Sequence, residues 1–374
     1  MEGDDLGWLG YFIGRSDCLR QLRIFATTPN QEREQQIILA PSDGIARNQS
    51  IRELAVTNLN NDGLAVITRL LGNDMMHIEA FNPLESGMSK LERLSLLDCN
   101  IGDAEVASIS HGLRSIGSSL TYLDLSNNSI GSEGLTALAS ALANATSIQE
   151  LHLDENDFST AAAGLRSLSD WLQTSAIKLD WLSLHSCGIN DEGLQALTAG
   201  AVNNCKVIDL SDTSNNITTF GLRHMSNSLQ SESCCLKSLY LENINIGDDG
   251  AEVLARGLVG NTLLREMCIY HDDEGYSFSP AGWSAFSSAL CNTSSVNKTY
   301  LSNHTLHALW DEESEDAEDV VDVDKDVFFY LQLNQKHPQY AARYKILMNH
   351  THLDMTPLLE WELKCLPLAV GWFE

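Results

Sequence analysis

The sequence is poor in basic residues, and this shortage excludes whole classes of partner. Lysine and arginine together number 23, against 51 aspartates and glutamates, which leaves a formal net charge of −28. A field of that sign repels nucleic acids and anionic membrane surfaces, and it attracts basic proteins or peptides. We therefore expect neither a nucleic-acid partner nor a membrane partner.

The sequence also lacks paired cysteine motifs and long apolar runs. Its nine cysteines are scattered without any C-x-x-C spacing, and Cys234 and Cys235 are neighbours, a poor geometry for a structural disulfide. We expect reduced thiols and a cytoplasmic protein, with the nucleus as the alternative compartment. The apolar run from Leu6 to Gly14 has no positive flank and is too short to span a membrane, so neither a signal peptide nor an anchor is predicted.

Motifs of enzyme active sites are missing as well. The chain contains no G-x-x-x-x-G-K phosphate loop, no H-E-x-x-H, no G-x-S-x-G and no G-x-G-x-x-G. Two close histidine pairs occur, and neither has a cysteine or carboxylate at metal-ligand spacing; they are His304 with His307, and His350 with His352. We expect a chain that is not an enzyme, with no catalytic residues, no cofactor and no metal.

The dominant feature that is present is an internal repeat. The stretch from Leu120 to Ile130 reads L-x-x-L-x-L-x-x-N-x-I, and Gly134 follows it with apolar residues at helical spacing. The same frame returns at Leu91, Ile148, Leu179, Cys205, Leu236 and Leu264, and a final strand is predicted from Val296. Weaker copies, which bring the predicted strands to as many as eleven, begin at Leu19, Ile51 and near Met75.

Two periods within each repeat predict its structure. Leucines at the first, fourth and sixth positions belong to a short parallel strand and face the core. Apolar residues at offsets 0, +3 and +7, such as Val106, Ile109 and Leu113, form one face of a helix. The asparagine or cysteine at the ninth position turns inward, where it can satisfy buried backbone groups. A single repeat buries too little apolar surface to fold alone, so stacking stabilises the array.

This frame resembles the ribonuclease-inhibitor-like subclass of leucine-rich repeats. The resemblance implies an α/β fold, a horseshoe-shaped solenoid with a concave parallel sheet and an outer row of helices. Lengthened turns at Asp212–Asn216 and His271–Phe278, and a helix-poor stretch at 82–90, depart from the pattern. We divide the chain into an N-terminal cap (1–18), a leucine-rich repeat array (19–310), an acidic disordered segment (311–326) and a helical C-terminal cap (327–374).

Side chains between the leucines form columns on the inner face of the sheet, because neighbouring strands lie only about 5 Å apart. The large aromatic residues in these columns are expected to be exposed, and carboxylates flank them. This combination is typical of an interface hot spot for a basic partner. The predicted partner-binding residues are Tyr122, Asp124, His152, Asp154, Trp181, His185, Asp209, Tyr240, Glu242 and Tyr270.

We therefore expect a non-enzymatic, monomeric protein-binding scaffold that recognises a basic protein or peptide on its concave face. Two alternatives stay open. An array of this subclass with an acidic stretch near its C-terminal end resembles the GTPase-activating protein for the nuclear-transport GTPase Ran, which implies regulation of a small GTPase. Similar arrays also form the tails of innate-immune receptors, which implies a recognition module that works with a separate signalling partner.

Overall fold

The computed structural model describes residues 9, 11–25, 45, 48–57, 90–174, 178–270, 279–309 and 323–352. Within these ranges nine strands form one parallel sheet, and their spatial order follows the chain order. The strands are β1 Gln21–Phe25, β2 Glu53–Thr57, β3 Arg93–Leu97, β4 Tyr122–Asp124, β5 Glu150–His152, β6 Leu179–Ser183, β7 Cys205–Asp209, β8 Ser238–Tyr240 and β9 Glu266–Cys268.

A helix follows each strand from β3 onward, and neighbouring helices pack side by side. Packed helices lie about 8–10 Å apart and strands about 5 Å apart, so the sheet takes the concave side of the solenoid. None of the helices in the described ranges is long and apolar enough to cross a membrane. The helices are α1 Asp103–Ile116, α2 Ser132–Ala141, α3 Ala162–Thr174, α4 Asp191–Asn204, α5 Thr219–Leu229, α6 Gly247–Leu258 and α7 Pro280–Leu290.

The leucine frame decides which side chains enter the core. Leu120, Leu123 and Leu125 are completely buried, as the strand period predicts. The predicted helix face of α1 is completely buried too, and the corresponding faces of α3, α5 and α7 are buried or nearly so. The strand period and the helix period are therefore confirmed for the regular part of the array. The strand residues between the buried leucines lie on the inner face of the sheet.

The ninth position of the repeat works as predicted. The Asn156 side chain is 2% exposed and donates to the carbonyl oxygens of Leu125 and Leu153, while its own oxygen accepts from the backbone N–H of Ile130. Cys187 takes this position in the next repeat, and its thiol lies 3.2 Å from the Leu153 carbonyl oxygen. Asparagine joins adjacent turns through several bonds, whereas cysteine supplies a weaker donor.

The final strand predicted from Val296 is wrong. Residues Val296–Tyr300 form a short helix, α8, because Ser295 caps it by accepting a hydrogen bond from a backbone N–H of its first turn. The next repeat frame begins instead at Leu306, two residues before Ala308 forms a parallel bridge with Glu266 of β9. The strand predicted near Met75, the helix-poor stretch at 82–89 and the turn at 271–278 lie outside the described residues.

The segment predicted to be disordered, 311–326, is ordered at its C-terminal end. Residues 323–326 lead into helix α9, Lys325–Lys336, and the Asp324 carboxylate caps it by accepting from the backbone N–H groups of Asp326 and Val327. An aspartate is favoured at this position because it pairs with free N–H groups and with the positive end of the helix dipole. The rest of the acidic segment, at 311–322, lies outside the described residues.

A buried lysine attaches the C-terminal helices to the array. Lys345 of α10, Ala341–Asn349, is completely buried and donates from Nζ to the carbonyl oxygens of Leu290 and Asn303, at 2.7 and 2.8 Å. Its third contact is His304 Nδ1, at 3.3 Å. Burial lowers the pKa of Lys345 to about 7. Since Leu290 ends α7, this lysine also satisfies a carbonyl at that helix terminus.

His304 should make this attachment weaker in acid. Burial and the nearby Lys345 lower the pKa of His304 to about 4 in the folded protein, from 6.5. Between pH 6.5 and 4 the unfolded chain therefore binds more protons, so the free energy of unfolding falls as the pH falls through that window. We expect the free energy of unfolding to fall by about 2 kcal/mol across this window. The whole pKa shift would correspond to a larger loss, but the ring is partly exposed and its interactions are screened by solvent.

Denaturant unfolding of the parent chain and of His304→Asn, measured at several pH values, checks this expectation. The asparagine oxygen keeps an acceptor for Lys345 but does not titrate. The difference in stability between the two proteins should shrink or reverse as the pH falls from 6.5 to 4. Parallel pH profiles for the two proteins would contradict the assignment to His304.

Candidate partner-binding face

Two columns of side chains cross the inner face from β3 to β9, as the repeat period predicts. The parallel pairing places each residue opposite its counterpart in the next repeat. The first column reads Arg93, Tyr122, Glu150, Trp181, Val207, Ser238 and Glu266, and the second reads Ser95, Asp124, His152, Ser183, Asp209, Tyr240 and Cys268. The strand predicted from Val296 would have added Lys298 and Tyr300 to these columns, but both residues lie in α8.

The strands end in a repeated left-handed turn. The residue that begins the turn has a φ between 51° and 96° in six consecutive repeats, a conformation that few side chains adopt readily. These residues are Asp98, Asn127, Glu155, Ser186, Asp212 and Asn243. The turn takes the chain out of the sheet and leaves Asp154, His185 and Glu242, each just before it, partly exposed at the strand exits.

An aromatic pair lies over the middle of the sheet. The rings of Trp181 on β6 and Tyr240 on β8 are stacked, with centroids 5.7 Å apart and planes 27° apart. Strand β7 runs between β6 and β8, so the two rings meet above it. Asp209 of β7 shares this face, and its carboxylate accepts from the backbone N–H of Ser211 at 2.9 Å. Burial raises the pKa of Asp209, because a carboxylate with little access to water is costly to ionise.

A second aromatic group lies on strands β3 to β5, toward the N-terminus of the array. The Arg93 guanidinium sits over the Tyr122 ring, 3.8 Å from its centroid, and the ring of His152 is 5.1 Å from the same centroid. His152 Nε2 lies 3.5 Å from a Glu150 carboxylate oxygen. Burial first, and then the charge of Asp124, raise the pKa of Tyr122. The chain's own arginine therefore already covers this tyrosine.

The strand exits between these groups carry acidic residues around a histidine. Asp154 accepts a hydrogen bond from the backbone N–H of His185 at 2.8 Å. The ring of His185 lies 3.9 Å from an Asp212 carboxylate oxygen, and its charge lowers the pKa of Asp209 against the effect of burial. Glu242 follows at the exit of β8, where its backbone N–H donates to Ser211. These side chains place negative charge beside the Trp181–Tyr240 pair.

Two expectations about exposure need correction. Tyr122, Trp181, Tyr240 and Tyr270 are half-buried and not freely exposed, since inner-face side chains only one or two strands apart pack against each other. Asp124 is only 9% exposed, and its carboxylate accepts from the Ser95 hydroxyl and the backbone N–H of Ser126. Asp124 therefore has a structural role in the strand and its turn.

Comparisons with known proteins identify the repeat. Residues 118–139, 181–197 and 232–255 match a family model described as Leucine Rich repeat. The chain is 26% identical over 254 residues to the ribonuclease inhibitor of Mus musculus, which covers 63% of this chain and 55% of that protein. It is also 26% identical over 235 residues to the ribonuclease inhibitor of Sus scrofa, with 55% and 51% covered.

The chain is a leucine-rich repeat protein of the ribonuclease-inhibitor-like type. It spans about half the length of the ribonuclease inhibitors that it matches. A third relative, the NACHT, LRR and PYD domains-containing protein 14 of Mus musculus, is 26% identical over 266 residues, which is 67% of this chain and 26% of that protein. Repeat solenoids of this kind bind other molecules on their concave surfaces.

The inner face of this leucine-rich repeat protein contains functional candidates that the sequence interpretation did not select. Arg93 and Glu150 stand in the first column beside Tyr122, and their contacts show that this tyrosine belongs to a local network. The strand register would have been sufficient to identify these residues from the sequence, because an arginine on the strand next to a tyrosine is close enough for a cation–π contact. Tyr270, at the exit of β9, is joined to the neighbouring turn through its backbone carbonyl, which accepts from the Asn243 N–H.

Among the described residues, no group of three or more histidine, cysteine, aspartate or glutamate side chains is arranged to hold a metal ion. The eight cysteines in these ranges are free thiols, and most of them are buried. Burial raises the pKa of Cys187 and of Cys205, which keeps both thiols protonated. The inner face thus offers aromatic surfaces, carboxylates and hydrogen-bonding groups, which suit recognition.

Proposed function

We propose that this leucine-rich repeat protein is a non-enzymatic scaffold whose inner face binds a basic protein or peptide. The observation that supports this most is the Trp181–Tyr240 stack above β7, the strand that carries Asp209, with Asp154 and Glu242 at the neighbouring strand exits. An aromatic face beside carboxylates offers a cation both a π surface and a counter-charge. Half-buried aromatic residues at the centre of a face are also typical hot spots.

The two aromatic groups have different roles in this proposal. Arg93 already occupies the face of Tyr122, at 3.8 Å from its centroid, and so shows the geometry that a cation adopts on this surface. The Trp181–Tyr240 group has carboxylates nearby and is the proposed contact for a partner's lysine or arginine. A cation placed there would also lower the raised pKa of Asp209, since an opposite charge favours the ionised carboxylate.

The experiment uses defined basic peptides, because the natural partner is not identified. Lysine- and arginine-rich peptides are titrated by fluorescence anisotropy, and the tightest binder is carried forward. We expect Trp181→Ala to weaken binding by at least about tenfold, which is the loss typical of a hot-spot residue. Raising the salt concentration from about 0.05 to about 0.5 M should weaken binding further, because exposed charges are screened.

Phe220→Ala serves as the matched control. Phe220 is a 68% exposed aromatic residue on α5, on the outer side of the solenoid, so its loss should change affinity less than about twofold. Affinity that is indifferent to ionic strength, or that survives Trp181→Ala combined with Asp209→Ala, would show that the proposal is wrong. Circular dichroism of each variant separates loss of binding from loss of structure.

Regulation of a small GTPase and innate-immune recognition stay predictions. The monomeric state and the cytoplasmic location stay predictions as well. Regulation of a small GTPase is tested by a GTP hydrolysis assay with candidate GTPases, and absence of acceleration would eliminate it. An innate-immune recognition role stays an alternative, and the match to a NACHT, LRR and PYD domains-containing protein covers only 26% of that protein. Neither alternative has a specific residue of the inner face in its favour.

A further inference from the structure

A basic column lies at the edge of the sheet where the strands begin. The strand register places Asp180, Lys206, Lys237, Arg265 and His307 opposite one another, one in each successive repeat. Lys206 forms an ion pair with Asp180. For Lys237 and Arg265 the described part of the chain supplies no ion pair. Two neighbouring cations without an ion-pair partner among the described residues are unexpected in a chain with a net charge of −28.

These two cations line a pocket between the last repeats and the C-terminal helix α9. The pocket has a volume of about 330 Å³, and its walls include Lys237, Arg265, His307, Thr305 and Asn334. None of its lining residues is acidic, and none belongs to the partner-binding residues of the inner face. This volume is at the lower end of the range for small-molecule sites.

Two residues that line the pocket carry buried oxygen atoms without a hydrogen-bond partner among the described residues. Asn334 is 1% exposed, and its Nδ2 donates to the carbonyl oxygen of Leu306 at 2.6 Å, which leaves Oδ1 as the atom that no described residue bonds. Thr305 Oγ1 is a second buried oxygen without a hydrogen-bond partner among the described residues. A buried acceptor that lacks a donor is costly, so a ligand that brings a donor is favoured.

We propose that this pocket binds a small phosphate monoester that carries hydroxyl groups. The phosphate lies between Lys237 and Arg265, and a ligand hydroxyl donates to Asn334 Oδ1. A phosphate monoester carries a charge of about −1.5 to −2 and three acceptor oxygens, which matches two cations better than a single carboxylate does. The arginine fork and the lysine ammonium are both suited to phosphate oxygens.

Glucose 6-phosphate, glucose and inorganic phosphate are the probes for isothermal titration calorimetry on the full chain at low salt. We expect glucose 6-phosphate to bind at least about tenfold more tightly than inorganic phosphate, and glucose to show no binding, since the site needs both the charge and a hydroxyl donor. Lys237→Gln combined with Arg265→Gln should weaken binding of glucose 6-phosphate at least about tenfold. A phosphoserine peptide that binds more tightly than glucose 6-phosphate would overturn the small-molecule assignment.

Lys206→Gln is the matched control, because Lys206 stands next in the same column but is paired with Asp180 and does not line the pocket. Its affinity for glucose 6-phosphate should stay within about twofold of the parent. Equal losses in Lys206→Gln and in the double variant would show that binding follows the general charge of the edge, and the proposal would fail. Unchanged affinity in the double variant, or equal affinity for inorganic phosphate and glucose 6-phosphate, would also overturn it.

Discussion

Replacing Asn215 by alanine should lower the free energy of unfolding by about 3–4 kcal/mol, because the side chain satisfies backbone groups of two adjacent turns. Asn215 is 3% exposed, and its Nδ2 donates to the carbonyl oxygens of Leu184, Leu210 and Ser211. Its Oδ1 accepts from the backbone N–H groups of Cys187 and Ile189. Alanine would leave these groups buried without partners. Urea unfolding followed by circular dichroism measures the change.

Asn216→Ala is the control for this prediction. Asn216 is the next residue in the same lengthened turn, is exposed, and donates from its side chain only to the Ser214 carbonyl oxygen. Its replacement should change stability by less than about 0.5 kcal/mol. Similar losses for the two variants would mean that the turn itself, and not the buried amide, holds adjacent repeats together.

Replacing Gly200 by alanine should lower stability by about 2–3 kcal/mol, because α4 packs too closely on α3 at this point. A Cβ at position 200 would lie 2.3 Å from the carbonyl oxygen of Ser169 and 2.6 Å from its Cα. The Gly200 backbone N–H also donates to the Ser169 hydroxyl at 2.9 Å, so the two helices cannot separate without losing that bond. The higher helix propensity of alanine, worth about 1 kcal/mol, offsets only part of this cost.

Gly193→Ala tests the same exchange on the same helix with different neighbours. A Cβ at position 193 would meet the Cδ1 methyl of Leu165 at 3.0 Å and the Cγ2 methyl of Ile189 at 3.3 Å. The closer atom is the end of a flexible side chain and neither belongs to the backbone, so the expected change in stability is within about 1 kcal/mol. Thermal and denaturant midpoints of both variants provide the comparison. A larger loss at position 193 than at position 200 would contradict the explanation by backbone contact.

The repeat frame alone was sufficient to predict the strands, the buried leucines and the inward asparagines of the regular part of the array. The predictions for β3 to β9 are confirmed because each repeat uses the same two periods, and neighbouring repeats impose the same register. The frame failed at Val296, where a serine cap starts a helix, and the disorder predicted from acidic composition failed at Asp324, where an acidic residue caps a helix. Both errors come from local capping, which overrides composition and periodicity over a few residues.

The candidate binding face was predictable only as a set of columns. Which residues share a column follows from period and register, so Trp181 and Asp209 could be placed on one face from the sequence. Their environment could not, since it depends on contacts between strands that are distant in the chain. The stacking of Trp181 on Tyr240, the burial of Asp124 and the arginine over Tyr122 all arise between different repeats.

The amino-acid sequence by itself determined the solenoid, its inner face and its acidic charge, because these follow from short periods and composition. Only the tertiary structure decided which side chains are available for binding. In the structure Arg93 covers the ring of Tyr122, the rings of Trp181 and Tyr240 stack above the strand that carries Asp209, and Lys237, Arg265 and Asn334 line one pocket. Asn334 lies more than 60 residues from these cations in the chain, and packing of the C-terminal helices on the last repeats alone places it beside them.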